Sequence, residues 1–279
     1  MSDYIDFHKR SIFIQKLIRF TIFISIKFPK TFFCYFWNTA FKLIGNSVRI
    51  SSTNENTFLV SDKNHSIEII YKERFEYYMQ NISTRLSHLS FEYMLSSIQF
   101  TDRDVVIDCG ANIGELFLAI DQQLEEQINI NYYGFEPVEK DFQVLSRNSK
   151  NLIDIPLALS SDEQAREFYL RPKAADSSFE PARSSKSILV DCVTIDRFFK
   201  NFENIKLLKL EAEGFELDVL VGAKKSLSKI KFITADLGFE LENNTVNSFD
   251  EVDKLLRGNN FELIASTKRE TYLYKNKNF

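Results

Sequence analysis

The stretch Val105-Val-Ile-Asp-Cys-Gly-Ala-Asn-Ile-Gly114 decides the fold. A short apolar run ends on Asp108, a loop with Gly110 and Gly114 follows, and a helix-forming sequence opens at Glu115. An unbroken apolar run marks a strand buried on both faces. The carboxyl end of such a strand, beside a helix N-terminus, is where open α/β sheets bind nucleotides. Glycine allows the tight turn and a close approach of ligand to backbone.

Spacing separates the candidate nucleotides. A dinucleotide site uses G-x-G-x-x-G to bring a pyrophosphate against the helix end. Here two glycines stand four residues apart, with an acid two residues before the first. A carboxylate at that place repels a pyrophosphate and suits a ligand with a cationic amino-acid end. The pattern favours S-adenosylmethionine over NAD, with a dinucleotide-dependent oxidoreductase as runner-up. A second acid, Glu136, closes Tyr132-Tyr-Gly-Phe-Glu-Pro137, where a carboxylate at the end of the second strand can accept from both ribose hydroxyls.

Outward from this point the chain alternates. Apolar runs recur at Val105–Ile107, Ile130–Phe135, Ile155–Leu159, Ile205–Leu210 and Ile230–Leu237, with helical patterns over 114–126, 138–149 and 215–229 between several of them. That alternation predicts a doubly wound, mostly parallel sheet. The tail, helix 249–257 and then FELIAS and TYLYKN across a short turn, predicts a closing antiparallel hairpin. Before residue 101 the pattern differs: short strands VRIS, NTFLV and SIEIIY, and a helical stretch from Arg74 to Ile98. The expected division is a basic aromatic segment 1–47, a β/α lead-in 48–100 and a cofactor-binding domain 101–279.

The net charge of −4 conceals a split. Up to Arg49 eight basic residues stand against Asp3 and Asp6, giving +6 and leaving −10 for the rest. Nine of the 27 Phe and the single Trp lie in the same segment. Charge asymmetry of this kind indicates a separate partner for the leader. The acidic body speaks against nucleic-acid binding, which needs a basic face. Within 11–28 the longest interval without a charge, Phe20–Ile26, is too short to span a bilayer, and no signal cleavage site follows.

On a helix, Lys9, Lys16, Arg19, Lys27 and Lys30 fall within roughly 80° of one another, and Pro29 ends or kinks it. A basic stripe on an apolar amphipathic helix fits an anionic membrane surface, met through residues 9–41. The alternative is a helix packed on the domain or on a protein partner. The expected location is cytoplasmic, peripheral at the inner membrane face. Cys34, Cys109 and Cys192 form neither a disulfide framework nor a metal cluster, and His8, His65 and His88 show no ligand spacing, so no metal is expected. Cys109 reads as a small apolar filler.

Four motifs in order carry a resemblance: Asp-Cys-Gly-Ala-Asn-Ile-Gly114; Gly-Phe-Glu-Pro137; Leu159-Ser-Ser-Asp-Glu163 before Phe168-Tyr169; and Leu207-Leu-Lys-Leu-Glu-Ala-Glu-Gly214 with Glu216, Leu220 and Gly222-Ala223. Over residues 90 to 275 the chain resembles the FkbM family of S-adenosylmethionine-dependent methyltransferases. The first 85 or so residues have no counterpart in the motif set. The resemblance implies a class I, Rossmann-like, seven-stranded sheet and methyl transfer to hydroxyl oxygen, often on sugars of glycans or glycolipids.

By the same resemblance Asp108, Gly110, Ala111, Asn112 and Gly114 line the methionine end of the cofactor and Glu136 holds the ribose. Ser160, Ser161 and Asp162 stand where the adenine edge is read, in a stretch that is equally a turn. Glu213 is the first candidate for the general base and Glu211 the second; Asp236 and Glu240 are further candidates, and each acid could instead be a structural partner of backbone amides or of Lys209. Glu211 stands where the family usually has Asp, and one extra methylene moves the carboxylate by more than about 1 Å, a misplacement that can cost a large factor in rate. That departure motivates a third reading, a membrane-associated cofactor-binding scaffold without activity. Acceptor recognition is expected from loops at the strand ends, among them Arg171 to Ser187 with Arg171, Lys173, Arg183 and Lys186 for an anionic saccharide. The oligomeric state is not legible.

Overall fold

The computed structural model describes residues 20–149, 153–170, 186–238 and 248–279. It divides into two compact units, Met1–Leu89 and Ser90–Phe279.

In the first unit residues 20–25 are helical, and α1 (Lys30–Leu43) starts directly after Pro29. Proline suits this place, since its fixed φ and missing N–H cost nothing at a helix start. A three-stranded antiparallel sheet follows: β1 (Arg49–Ser52), β2 (Phe58–Ser61) and β3 (Ser66–Ile69). α1 buries Phe33, Cys34, Trp37 and Phe41, with Phe33, Trp37 and Phe41 each 5.7–5.8 Å from the Phe75 ring. The Asn38 side-chain amide donates to Ile50 O (2.8 Å) and accepts from Ile50 N (2.9 Å), fixing the helix to β1 as a strand would be fixed. Instead of one helix over Arg74–Ile98, the chain makes a 3₁₀ segment (Lys72–Tyr78), α2 (Ile82–Glu92) and a short 3₁₀ turn (Leu95–Ser97). Met94, in the left-handed region at φ 54°, stops the helix.

The second unit carries the seven-stranded sheet. Its strands are β4 (Val105–Cys109), β5 (Asn131–Phe135), β6 (Ile153–Ile155), β11 (Ile205–Leu210), β12 (Ile230–Asp236), β13 (Phe261–Ser266) and β14 (Thr271–Asn276), in the order β13-β14-β12-β11-β4-β5-β6. β6, β5, β4, β11 and β12 pair in parallel, and β14 enters antiparallel between β12 and β13. This is the mostly parallel sheet with a C-terminal hairpin expected from the alternating pattern. α3 (Glu115–Asp121) links β4 to β5, α4 (Glu139–Asn148) follows β5, α6 (Glu216–Val221) follows β11, and α7 (Ser248–Gly258) precedes β13.

Ile107, Phe135, Leu208, Leu210, Ile233 and Phe199 belong to one buried cluster around the central strands, and each such side chain contributes about 1.5–3 kcal/mol on burial. The run Ile155–Leu159 is not one strand. Pro156 has no N–H for the ladder, so β6 ends at Ile155 and β7 (Ala158–Leu159) leaves the main sheet to pair with β10 (Cys192–Val193). A hairpin of β8 (Arg166–Tyr169) and β9 (Ser187–Val190) lies between them in sequence, and Thr194 caps α5 (Ile195–Phe198) by accepting from Arg197 N. β4 and β11 lie side by side at the centre of the sheet, so the loops leaving their carboxyl ends are neighbours. No helix among the described residues is long and apolar enough to cross a membrane.

Candidate functional site

Strand register places the central charges. Asp108 pairs with Lys209 across β4 and β11 and with Gly134 across β4 and β5. Lys209 is a charged residue inside an apolar strand, and both it and Asp108 are buried, so each needs a partner. Lys209 Nζ stands 3.1 Å from Asp108 Oδ1 as an ion pair outside hydrogen-bond geometry, and 2.8 Å from Glu211 Oε2. It also donates to the carbonyls of Cys109 (3.1 Å) and Gly110 (2.9 Å), the first two residues past the strand's acid. Burial alone pushes the ammonium pKa down, but the Asp108 and Glu211 carboxylates outweigh it and hold Lys209 protonated.

The Tyr132 hydroxyl donates to Asp108 Oδ2. Burial and the Asp108 charge push that phenol well above its usual range, so it remains a donor. Tyr93 donates to Glu211 Oε2 at 2.7 Å, with its own carbonyl held by Thr234 Oγ1 at 3.1 Å. Glu211 keeps 31 % of its side-chain surface open, while its Oε2 is held by both Lys209 and Tyr93. Burial raises its pKa, but Lys209 and Tyr93 more than reverse this, so Glu211 is held ionised.

The glycine loop is built for closeness. At Gly110 (φ 75°) a Cβ would lie 2.4 Å from the Glu211 carbonyl oxygen. At Gly114 (φ 87°) it would lie 2.9 Å from Leu145 Cδ1. Neither position admits a side chain without a shift. The loop's amides are largely engaged: Gly110 N and Ala111 N donate to Phe135 O, and Gly114 N donates to Ala111 O. Asn112, itself left-handed at φ 50°, donates from N to Glu136 Oε2 at 2.9 Å. With those donors used internally, the loop does not present the fan of free amides that a pyrophosphate needs.

Glu136 is buried and also accepts from Val138 N (2.8 Å), so one carboxyl ties the loop after β4 to the exit of β5. Burial and the neighbouring Asp141 charge push its pKa up to about 8 against the pull of the two amides.

At the exit of β11, Glu213 and Gly214 take consecutive left-handed conformations (φ 51° and 94°). The turn is held by Glu216 Oε1, which accepts from Ala212 N (2.8 Å) and Gly214 N (3.2 Å). The left-handed turn interrupts the extended backbone in which positions 211 and 213 would share a face. Asp236, at the end of β12, is 9 % exposed, and burial together with the Glu211 charge raises its pKa.

Ser160 and Asp162 belong to a different cluster. Ser160 Oγ donates to Asp218 Oδ2 (3.0 Å), Ser161 Oγ donates to Asp218 Oδ1 (2.6 Å), and Arg166 bridges Asp218 (3.0 Å) and Asp162 (2.7 Å). Ser160 itself is fully buried, beside Gly222, where a Cβ would meet the Ser160 carbonyl at 2.1 Å.

The structure thus brings Asp108, Gly110, Ala111, Asn112, Gly114, Glu136 and Glu211 to one edge of the sheet. Asp108 and Glu211 are engaged with Lys209, and Ser160 and Asp162 with Asp218 and Arg166. Glu240, Arg171, Lys173 and Arg183 lie outside the described residues. Sequence reasoning missed Tyr93, Tyr132 and Asp218. A lysine inside an apolar strand was a readable signal for a buried partner, whereas the 118-residue separation of Tyr93 from Glu211 left none.

Over 140 residues the chain is 26% identical to the hexuronic acid methyltransferase AglP of Haloferax volcanii, covering 48% of this chain and 56% of that protein. A methyltransferase FkbM structure from Methylobacillus flagellatus KT is 17% identical, with a TM-score of 0.47, over 69% of this chain and 50% of that one. A putative RNA methyltransferase from Pyrococcus horikoshii is 12% identical, with a TM-score of 0.38, over 70% of this chain and 83% of that one. The chain spans about half the length of the curated relative and of the first of these structures. The methyltransferase FkbM domain model matches residues 108–263, from Asp108 near the end of β4 to the middle of β13 and over more than half of the chain. By that match the chain belongs to the methyltransferase FkbM domain family.

Proposed function

We propose that this protein is an S-adenosylmethionine-dependent O-methyltransferase acting on a sugar hydroxyl of a glycan or glycolipid, and that the sugar acceptor is acidic. One observation carries the cofactor reading. The loop after β4 is pressed against β11 with no room for a Cβ at Gly110, its amides are engaged internally, and the Glu136 carboxyl sits beside it. That set suits a ligand with a cationic amino-acid end and a ribose, and offers little to a pyrophosphate.

In this reading Gly110, Ala111, Asn112 and Gly114 form the wall against the amino-acid end. Asp108 supports that wall through Lys209 and Tyr132, and Glu136 takes the ribose hydroxyls. Ser160 and Asp162 serve the adenine edge as backbone positions, Ser160 held by Asp218 and Asp162 by Arg166. The bound cofactor supplies an electrophilic sulfonium methyl group. The protein's task is to align an acceptor oxygen with it and to take the hydroxyl proton as the new O–C bond forms and the S–C bond breaks.

Glu211, held ionised by Lys209 and Tyr93, is a weak proton acceptor and a fixed negative charge instead. Glu213 in the adjoining turn is the proposed base. Asp236, whose pKa is raised, is the alternative, because a base works best when its pKa lies nearer the working pH. The acidic acceptor is suggested by the hexuronic acid methyltransferase relative.

The test is to incubate the protein with S-adenosylmethionine and oligosaccharides ending in hexuronic acid or neutral sugar, measuring S-adenosylhomocysteine release and methylated product by mass spectrometry. Acceptor-dependent release, faster with the acidic sugar and lost in Glu213→Gln or Asp236→Asn, is expected. Cofactor binding without release on either acceptor class would instead support the scaffold reading.

A further inference from the structure

The first unit presents a helix that is apolar on both sides. α1 buries Phe33, Cys34, Trp37 and Phe41 on one face. On the opposite face Phe32, Tyr35 and Leu43 are 48%, 67% and 81% exposed, with Thr39 between them and Phe36 half-buried. At about 100° per residue these five positions fall within roughly 100° of one another, with Lys42 at the margin.

The helical residues 20–25 repeat the arrangement. Ile22 and Ser25 are buried, and Ser25 Oγ accepts from Trp37 Nε1 at 3.1 Å, while Phe20, Phe23 and Ile24 stay exposed. Lys27 Nζ sits 5.0 Å from the Phe23 ring centroid. A helix with apolar residues on all sides needs a second apolar partner besides its own domain.

The charge pattern says what kind. Between Asp6 and Glu55 the sequence contains no Asp or Glu, while Lys27, Lys30, Lys42 and Arg49 lie among the described residues of that interval. Exposed aromatic rings with lysines beside them, on a stretch of chain that carries no carboxylate, match a bilayer interface, where rings enter the headgroup boundary and ammonium groups meet lipid phosphates. A protein partner large enough to cover such a face would ordinarily be met through a mixed polar rim, which this interval lacks on its acidic side.

We propose that the outward face of α1 and residues 20–27 form a docking surface for an anionic lipid bilayer, with Phe23, Phe32 and Tyr35 as the inserting rings and Lys27 and Lys42 as the phosphate contacts. This stands on the first unit alone and is independent of the proposed reaction.

The full chain should float with vesicles of phosphatidylcholine containing phosphatidylglycerol and not with phosphatidylcholine alone. Phe32→Ser with Tyr35→Ser should weaken binding by more than about tenfold, since two inserting rings are lost. Lys27→Glu with Lys42→Glu should abolish the preference for the acidic lipid. Lys27→Glu with Lys42→Glu alters exposed side chains, and Phe32→Ser with Tyr35→Ser gives up only the edge contact of Phe32 with the Phe28 ring, so both variants should keep the parent's circular dichroism spectrum. Equal flotation with neutral vesicles, or equal binding by the variants, overturns the proposal. So does light scattering that finds a dimer dispersed by Phe32→Ser with Tyr35→Ser, which assigns the face to a second copy.

Discussion

Two carboxylate–cation clusters lie along the carboxyl edge of the sheet, built from the same chemistry and differing in burial. Around Lys209, the ammonium and Asp108 are almost wholly removed from water, and four oxygens converge on one nitrogen within 3.1 Å. Around Arg166, the guanidinium, Asp162 and Asp218 keep 26–45% of their side-chain surfaces exposed. Pairing in the first is obligatory, because an unpaired buried charge is costly. Pairing in the second is a matter of geometry, since solvated ion pairs contribute little. The buried cluster fixes the glycine loop to β11, and the exposed one fixes the turn after β7 to α6. Asp108 and Asp162 read alike in sequence as ligand contacts, and burial separates them.

The largest expected effect therefore comes from the buried cluster. Lys209→Met leaves Asp108 and Glu211 facing each other without a cation and should destabilise the protein by about 3–5 kcal/mol, read from the urea midpoint. Combining it with Asp108→Asn should recover part of that loss; an equal or deeper loss would mean that the charges are not coupled.

A middle effect comes from Glu136. Its pKa in the folded protein, about 8, is above its ordinary value, so the folded state holds this proton more tightly than the unfolded chain does. The stability it contributes is fully present below about pH 4.5 and is lost as pH rises through about 8. Unfolding midpoints should fall between about pH 4.5 and 8 and level off above. Asp141→Asn removes a neighbouring negative charge, lowers that pKa and should flatten the decline. An unchanged slope would break the assignment.

The smallest effect belongs to the exposed cluster. Arg166→Gln should change stability by only about 0–1 kcal/mol, and a loss as large as that of Lys209→Met would erase the distinction between the clusters.

Most of the fold was legible in local pattern. Apolar runs alternating with helical stretches predict the parallel sheet because a strand buried on both faces cannot alternate polar and apolar residues, and FELIAS and TYLYKN separated by one turn predict the hairpin. The splitting of Ile155–Leu159 was readable from Pro156 but is overridden by the apolar run around it. The glycine loop and Glu136 were legible because strand end, turn and acid are adjacent in sequence. The Lys209–Glu211 pair was readable as one alternative, because the two residues are neighbours in sequence, whereas the Lys209–Asp108 pair was not, since it depends on the register between strands about a hundred residues apart. Tyr93 and Tyr132 reach their carboxylates only once the chain has folded.

The central claim is that the edge formed by the β4 loop and Glu136 binds S-adenosylmethionine, and titration calorimetry with S-adenosylhomocysteine tests it most directly. The account predicts one site per chain, with affinity reduced by about tenfold or more in Glu136→Ala, as loss of the two hydrogen bonds to the ribose implies, and kept within about twofold in Arg166→Gln. No binding by the parent protein, or equal affinity in Glu136→Ala with its fold intact by circular dichroism, would contradict it.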